Sequence, residues 1–114
     1  MPDQTVEVIF SPTADPQFMF EPGEVIMTAA AKVIFQRRPG SAAWKFKDAH
    51  VKNDALKEFS AAVQGNGSSL HIDDKFYDKE RTPYGYNVTV ELNGTSYTSP
   101  DPVIVNDPGG SAGP

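Results

Sequence analysis

The stretch from Tyr84 to Leu92 limits what this chain can fold into more than any other. Tyr84, Tyr86, Val88, Val90 and Leu92 recur at every second position, with Gly85, Asn87, Thr89 and Glu91 between them. Successive strand side chains point to opposite faces, so this spacing predicts a strand with one buried face. Asn93-Gly94 follows, and both residue types accept the positive φ that a tight type I′ turn requires. The segment through Tyr97 is therefore expected to return as the second arm of a β-hairpin.

The rest of the chain must fit around that hairpin, and ten prolines and nine glycines among 114 residues cut it into short pieces. Short strands joined by turns suit that punctuation better than long helices, and a chain of this length is expected to build one core. Thr5 to Phe10 reads as a first strand, with Val6, Val8 and Phe10 alternating. Phe18 and Phe20 share one side of a short extended segment, and Pro22-Gly23 is a candidate type II turn. Glu24 to Arg38 is open between a helix, suggested by Ala29-Ala30-Ala31, and two strands. Val25, Ile26, Val33, Ile34 and Phe35 favour strands at Glu24 to Thr28 and Lys32 to Arg37, with a turn at Arg38-Pro39-Gly40. Ala43 to Lys47 alternates again, with Trp44 and Phe46 inward. Asn53 to Val63 allows a turn of helix at most and then a strand. Ser69 to Asp73 places Leu70 and Ile72 inward, and Asp74 to Pro83 is a charged connection. Pro100 and Pro102 bend the chain before a last strand at Val103-Ile104-Val105. Residues 1–106 are expected to form the domain and 107–114, rich in glycine and proline, a mobile tail.

About seven to eight short antiparallel strands at turn spacing predict an all-β sandwich. The order of Trp44, then Leu70-His71-Ile72 before an acidic corner, then Tyr84-Gly85-Tyr86-Asn87-Val88 resembles the immunoglobulin-like sandwich. Under that resemblance Tyr86 stands where a cysteine would, and Tyr84 becomes a tyrosine-corner candidate whose hydroxyl bonds a nearby backbone group. Asp15-Pro16 with Glu21-Pro22-Gly23, and the ending Asp101-Pro102-Val103-Ile104-Val105-Asn106, are similar to the DP-EP family of small bacterial all-β proteins. That resemblance implies the fold and no activity, since the family has no assigned catalytic residues.

Composition removes several functions. Without cysteine there is no disulfide, thiolate chemistry or blue-copper site. The Met1-Pro2-Asp3-Gln4 start has no signal-peptide character, which points to the cytoplasm, and a disulfide-free periplasmic domain is also compatible. No apolar run reaches the length of a membrane span. The net charge of −5 opposes nucleic-acid binding. It divides unevenly, with +5 between Lys32 and Lys52 and −10 elsewhere. The basic residues Lys32, Arg37, Arg38, Lys45, Lys47 and Lys52 are therefore a candidate interaction surface for a second copy or a protein partner.

The remaining chemistry is sparse. His50 and His71 are the only imidazoles, and His71 points away from the core, so surface positions explain both. Asp73, Asp74, Asp78 and Glu80 form a candidate loop ligand site for calcium or a saccharide, although their spacing lacks the calcium-loop pattern and Lys75, Lys79 and Arg81 are interleaved. Gly65-Asn66-Gly67 has no following helix to make an anion cradle and reads as a hairpin loop. Asn66, Asn87 and Asn93 open N-x-[ST] sequons that turn geometry already explains in two cases. No cofactor, metal or catalytic residue is expected. The expectation is a non-catalytic protein-interaction or self-assembly domain, with a loop-based saccharide or calcium module as the alternative.

Overall fold

A computed structural model describes residues 3–38 and 43–109. Ten strands form two five-stranded sheets, and no α-helix occurs among the described residues. The strands are β1 (Gln4–Phe10), β2 (Phe18–Glu21), β3 (Glu24–Met27), β4 (Ala31–Arg37), β5 (Lys45–Val51), β6 (Phe59–Gln64), β7 (Ser69–Asp74), β8 (Thr82–Leu92), β9 (Thr95–Thr98) and β10 (Val103–Asn106). One sheet runs β2-β1-β4-β7-β6. The other runs β3-β10-β8-β5, with β9 also paired to β8.

The stretch from Tyr84 to Leu92 forms the long strand of the second sheet. β8 alternates buried and half-buried residues along most of its length, with Tyr84, Tyr86, Val88 and Val90 in the core. Asn93 and Gly94 both take positive φ, 54° and 80°, as a type I′ turn requires. β4 and β7 give the opposing sheet its inner face, with Val33, Phe35, Leu70 and Ile72 fully buried. Between the sheets, Tyr86 meets Phe35 edge-on with ring centroids 5.4 Å apart. Trp44 does the same with Phe10 of β1 at 6.0 Å. Edge-to-face aromatic packing therefore joins the layers where a disulfide is unavailable.

The strand count exceeds expectation because prolines divide the chain as it changes sheets. β2 lies on β1 in the first sheet, while β3 follows Pro22-Gly23 into the second and runs parallel to β10. The turn between them is not type II. The Glu21–Pro22 peptide is cis, as is Asp15–Pro16, and Gly23 is not among the residues at positive φ. Two strands rather than a helix occupy 24–37. The neighbourhood of Trp44 also differs from the alternation. Trp44 is buried just ahead of β5, and the strand continues to Val51 through a bulge between Phe46 and Asp48. A bulge adds one residue to one strand. Lys47 and Asp48 are consequently both exposed, and the half-buried positions resume at Ala49 and Val51. That break in period hid the second half of the strand.

The expected turn at Pro39-Gly40 lies outside the described residues, as does the end of the tail at 110–114. Asn106 and Asp107 belong to the folded body. Asn106 closes β10 fully buried. The Asp107 amide donates to the Met27 carbonyl at 2.8 Å. Its carboxylate receives the Arg81 guanidinium at 2.7 Å.

Candidate functional site

One end of the sandwich gathers polar side chains that are far apart in sequence. The connection after β5 turns sharply, with Asn53 and Lys57 at positive φ. Asp54 shapes it by accepting the amides of Glu58 and Phe59 at 3.0 and 3.1 Å. This arrangement turns Glu58 inward, where its side chain is fully buried immediately before β6. Asp74 ends β7 on the inward parity of Leu70 and Ile72, and it too is fully buried. Asp78 enters from the β7–β8 connection, Tyr84 from β8 and Asn106 from β10.

Their contacts form a single network. The Asn106 amide nitrogen lies 3.1 Å from Glu58 Oε1, 3.1 Å from Asp74 Oδ1 and 2.9 Å from Asp78 Oδ2. The Tyr84 hydroxyl lies 2.8 Å from Glu58 Oε2 and 2.7 Å from Asp78 Oδ1. Main-chain donors complete the ring, Tyr77 N to Glu58 Oε1 at 2.8 Å and Phe76 N to Asp74 Oδ1 at 2.9 Å. Asp74 Oδ2 and Asn106 Oδ1 are buried without a partner among the described residues. Burial disfavours the charged carboxylate. It pushes Asp74 up to about 6, against the opposing hydrogen bonds from Asn106 and Phe76. Burial likewise raises Glu58, with Asp78 adding to the rise. The Tyr84 hydroxyl is held well above its ordinary range by burial and by the two acids.

The loop acids read as one group from sequence are thus divided. Asp74 and Asp78 enter the network. Asp73 lies on the outward parity of β7, in register with Lys32 and Ser60. Glu80 is exposed, and its contribution is a carbonyl that accepts from Thr82 Oγ1 at 2.8 Å. Tyr84 is the other revision. Its hydroxyl contacts two carboxylates in place of the backbone group that a tyrosine corner implies. Among the described residues no group of three or more histidine, aspartate or glutamate side chains is arranged to hold a metal ion. His50 and His71 lie on strands of different sheets.

The basic residues do not converge either. β4 and β5 belong to opposite sheets, which separates Lys32, Arg37 and Arg38 from Lys45, Lys47 and Lys52. Arg37 covers Trp44, donating to its carbonyl at 2.9 Å with the guanidinium 5.9 Å from the ring. Arg38 pairs with Glu7 at 2.9 Å and with Glu21. Lys47 reaches Glu91 at 3.9 Å and Lys52 reaches Asp101 at 2.7 Å. Lys52 is the first cause of the lowered Asp101 carboxyl. Lys32 and Lys45 remain exposed. Half of the six basic residues, Arg38, Lys47 and Lys52, are thereby matched by acids from the rest of the chain.

A second feature lies where the two sheets end side by side. β5 ends one sheet and β6 the other, and a cleft of about 260 Å³ opens between them. His50, Val51, Lys57, Phe59 and Ala61 line it above Ile72. Among the described residues β6 pairs with β7 on one side only. Its sequence, Phe59-Ser60-Ala61-Ala62-Val63-Gln64, carries no charge, and every residue after Phe59 is exposed. Composition and charge gave no warning of this edge, because what marks it is the absence of a neighbour. Glu58 was equally hidden, being an acid in an ambiguous connection. Asn106 could be picked out only as the end of the Asp-Pro-x-Ile-x-Asn run.

Among protein families, the model of the DP-EP family matches residues 2–108, nearly the whole chain. No curated protein matches it.

Proposed function

We propose, for a chain that belongs to the DP-EP family, a non-catalytic assembly role in which the open edge of β6 pairs with β6 of a second copy. The observation that carries this reading is the uncharged, exposed, unpaired edge itself. Unpaired strand N–H and C=O groups template the addition of another strand, and folded domains usually blunt such edges with charge, proline or a bulge. β6 has none of the three. The family match supports the fold and adds no activity to this reading.

The register follows from the two-residue period. A two-fold axis through Ala61 sets Phe59 opposite Val63 of the second copy and Ser60 opposite Ala62, so inward residues meet inward residues. The inward row becomes apolar throughout, and the cleft beside Phe59 is extended across the junction. Aromatic and β-branched cross-strand pairs are among those that stabilise a sheet.

Light scattering across a protein concentration series tests the proposal. The wild-type chain is expected to form a dimer, and Ala61→Lys, which places a charge on the inward row, is expected to remain a folded monomer. A wild-type chain that stays monomeric to millimolar concentration would sink the proposal.

We also read the sandwich as immunoglobulin-like. Support comes from the order β6-β7-β4 opposite β5-β8-β10 and from Trp44 and Tyr86 in the core between them.

A further inference from the structure

We propose that Glu58, Asp74, Asp78, Tyr84 and Asn106 form an acid-favoured latch, which holds the 75–81 connection closed by keeping a proton among its carboxyl groups in mildly acidic solution. The hydrogen count carries the inference. Five short contacts join Asn106 and Tyr84 to the three acids. The amide and the phenol together supply only three hydrogens. Tyr84 donates to one of Glu58 and Asp78, and the contact with the other is a hydrogen bond only if that carboxyl is protonated and donates to the phenolic oxygen. Asp74 Oδ2, buried and unpartnered, is a costly place for a full negative charge. A proton there or elsewhere in the network lowers that cost.

The surroundings provide no compensating cation. Among the described residues none of the three acids forms an ion pair. Arg81, next to the network, is paired to Asp107 at 2.7 Å. Asp54, on the segment leading to Glu58, is occupied by two main-chain amides. Asp73 and Lys32 lie on the outward parity of the sheet. Lys75 meets this region through its amide, which donates to the Glu58 carbonyl at 2.9 Å. Lys57, Lys79 and Glu80 are exposed.

What the latch closes is visible in its attachments. The connection between β7 and β8 is fastened by the Phe76 amide on Asp74, the Tyr77 amide on Glu58 and the Asp78 carboxyl on Tyr84 and Asn106. Loss of the shared proton leaves adjacent carboxylates that repel, and Asp78 is the one carried on a connection able to withdraw. The raised Asp74 and Glu58 carboxyls agree in sign. A group raised in the folded state contributes stability that is complete below the ordinary carboxylate range. That contribution is lost as pH rises through about 6, the Asp74 value.

Thermal unfolding at about pH 5 and about pH 8, read with carbon-13 NMR titration of the side-chain carboxyls, tests this. The melting temperature is expected to be about 5 °C or more higher at the lower pH, with the Asp74 carboxyl titrating near 6. Asp74→Asn should raise the melting temperature at the higher pH and remove most of the difference. If that variant fails to fold, the wild-type titration decides alone. Carboxyls that all titrate in the ordinary range, or an Asp74→Asn variant with an unchanged pH slope, would overturn the latch. A calcium ion that restores the low-pH melting temperature at high pH would assign the cluster to a metal and overturn it as well.

Discussion

Strands β5 and β6 line the same cleft and end the two sheets side by side, but β5 is guarded and β6 is not. β5 exposes Lys45, Lys47, Asp48 and His50 and is bent by a bulge after Phe46. Ahead of it Trp44 is locked into the core between Phe46, Phe10 and the Arg37 guanidinium. β6 exposes serine, alanine, valine and glutamine, and its one anchored residue is the half-buried Phe59 at its start. Charge and bulging discourage strand addition, so the contrast separates a strand whose edge is closed to partners from one that is available. Both strands are equally peripheral in their sheets, which means position alone does not decide whether an edge is sticky.

The largest test of this contrast is Trp44→Ala. Removing a fully buried indole at the root of β5 should cost about 3 to 5 kcal/mol in denaturant melts, and a change near zero would mean that β5 is not anchored by its aromatic end. Phe59→Ala is the matched cut in β6. Phe59 is half-buried and meets Tyr84 edge-on with ring centroids 4.9 Å apart, so about 1 to 2 kcal/mol is expected by the same measurement. A cost equal to that of Trp44→Ala would erase the distinction. Ala61→Lys should change stability by no more than about 0.5 kcal/mol while abolishing dimer formation in light scattering. Smallest of all is Lys52→Ala beyond the end of β5. Its exposed pair with Asp101 should leave the denaturant midpoint nearly unchanged, because solvent screens such pairs. A large loss there would show that the charge pair beyond the end of β5 has a structural role.

The aromatic and aliphatic alternation of Tyr84 to Leu92 was readable as a strand because a single period-two pattern buries one face whatever the neighbouring strand is. The Asn93-Gly94 turn was readable for a similar reason, since positive φ is a property of the residues themselves. The Pro22-Gly23 turn was misread by the same logic, because proline and glycine permit a type II turn without requiring one. The continuation of β5 past Lys47 was missed because a bulge resets the period.

The polar network and the basic run were less legible than the strands. Asp74 and Asp78 could be named from a local concentration of acids, but their separation from Asp73 and Glu80 depends on which side of β7 each residue faces and on Glu58 and Asn106 arriving from other strands. The basic run between Lys32 and Lys52 looked like one surface because it is contiguous in sequence, and two sheets divide it.

Local residue chemistry was enough to determine an all-β chain, its hairpin, the inward aromatics Trp44, Phe46 and Tyr86, and the absence of thiol chemistry. Each of these depends on a side chain and its nearest neighbours. The tertiary structure alone decided which strand was left without a neighbour and which acids came to share hydrogens. Both depend on contacts between residues far apart in the chain, and a local pattern does not record them.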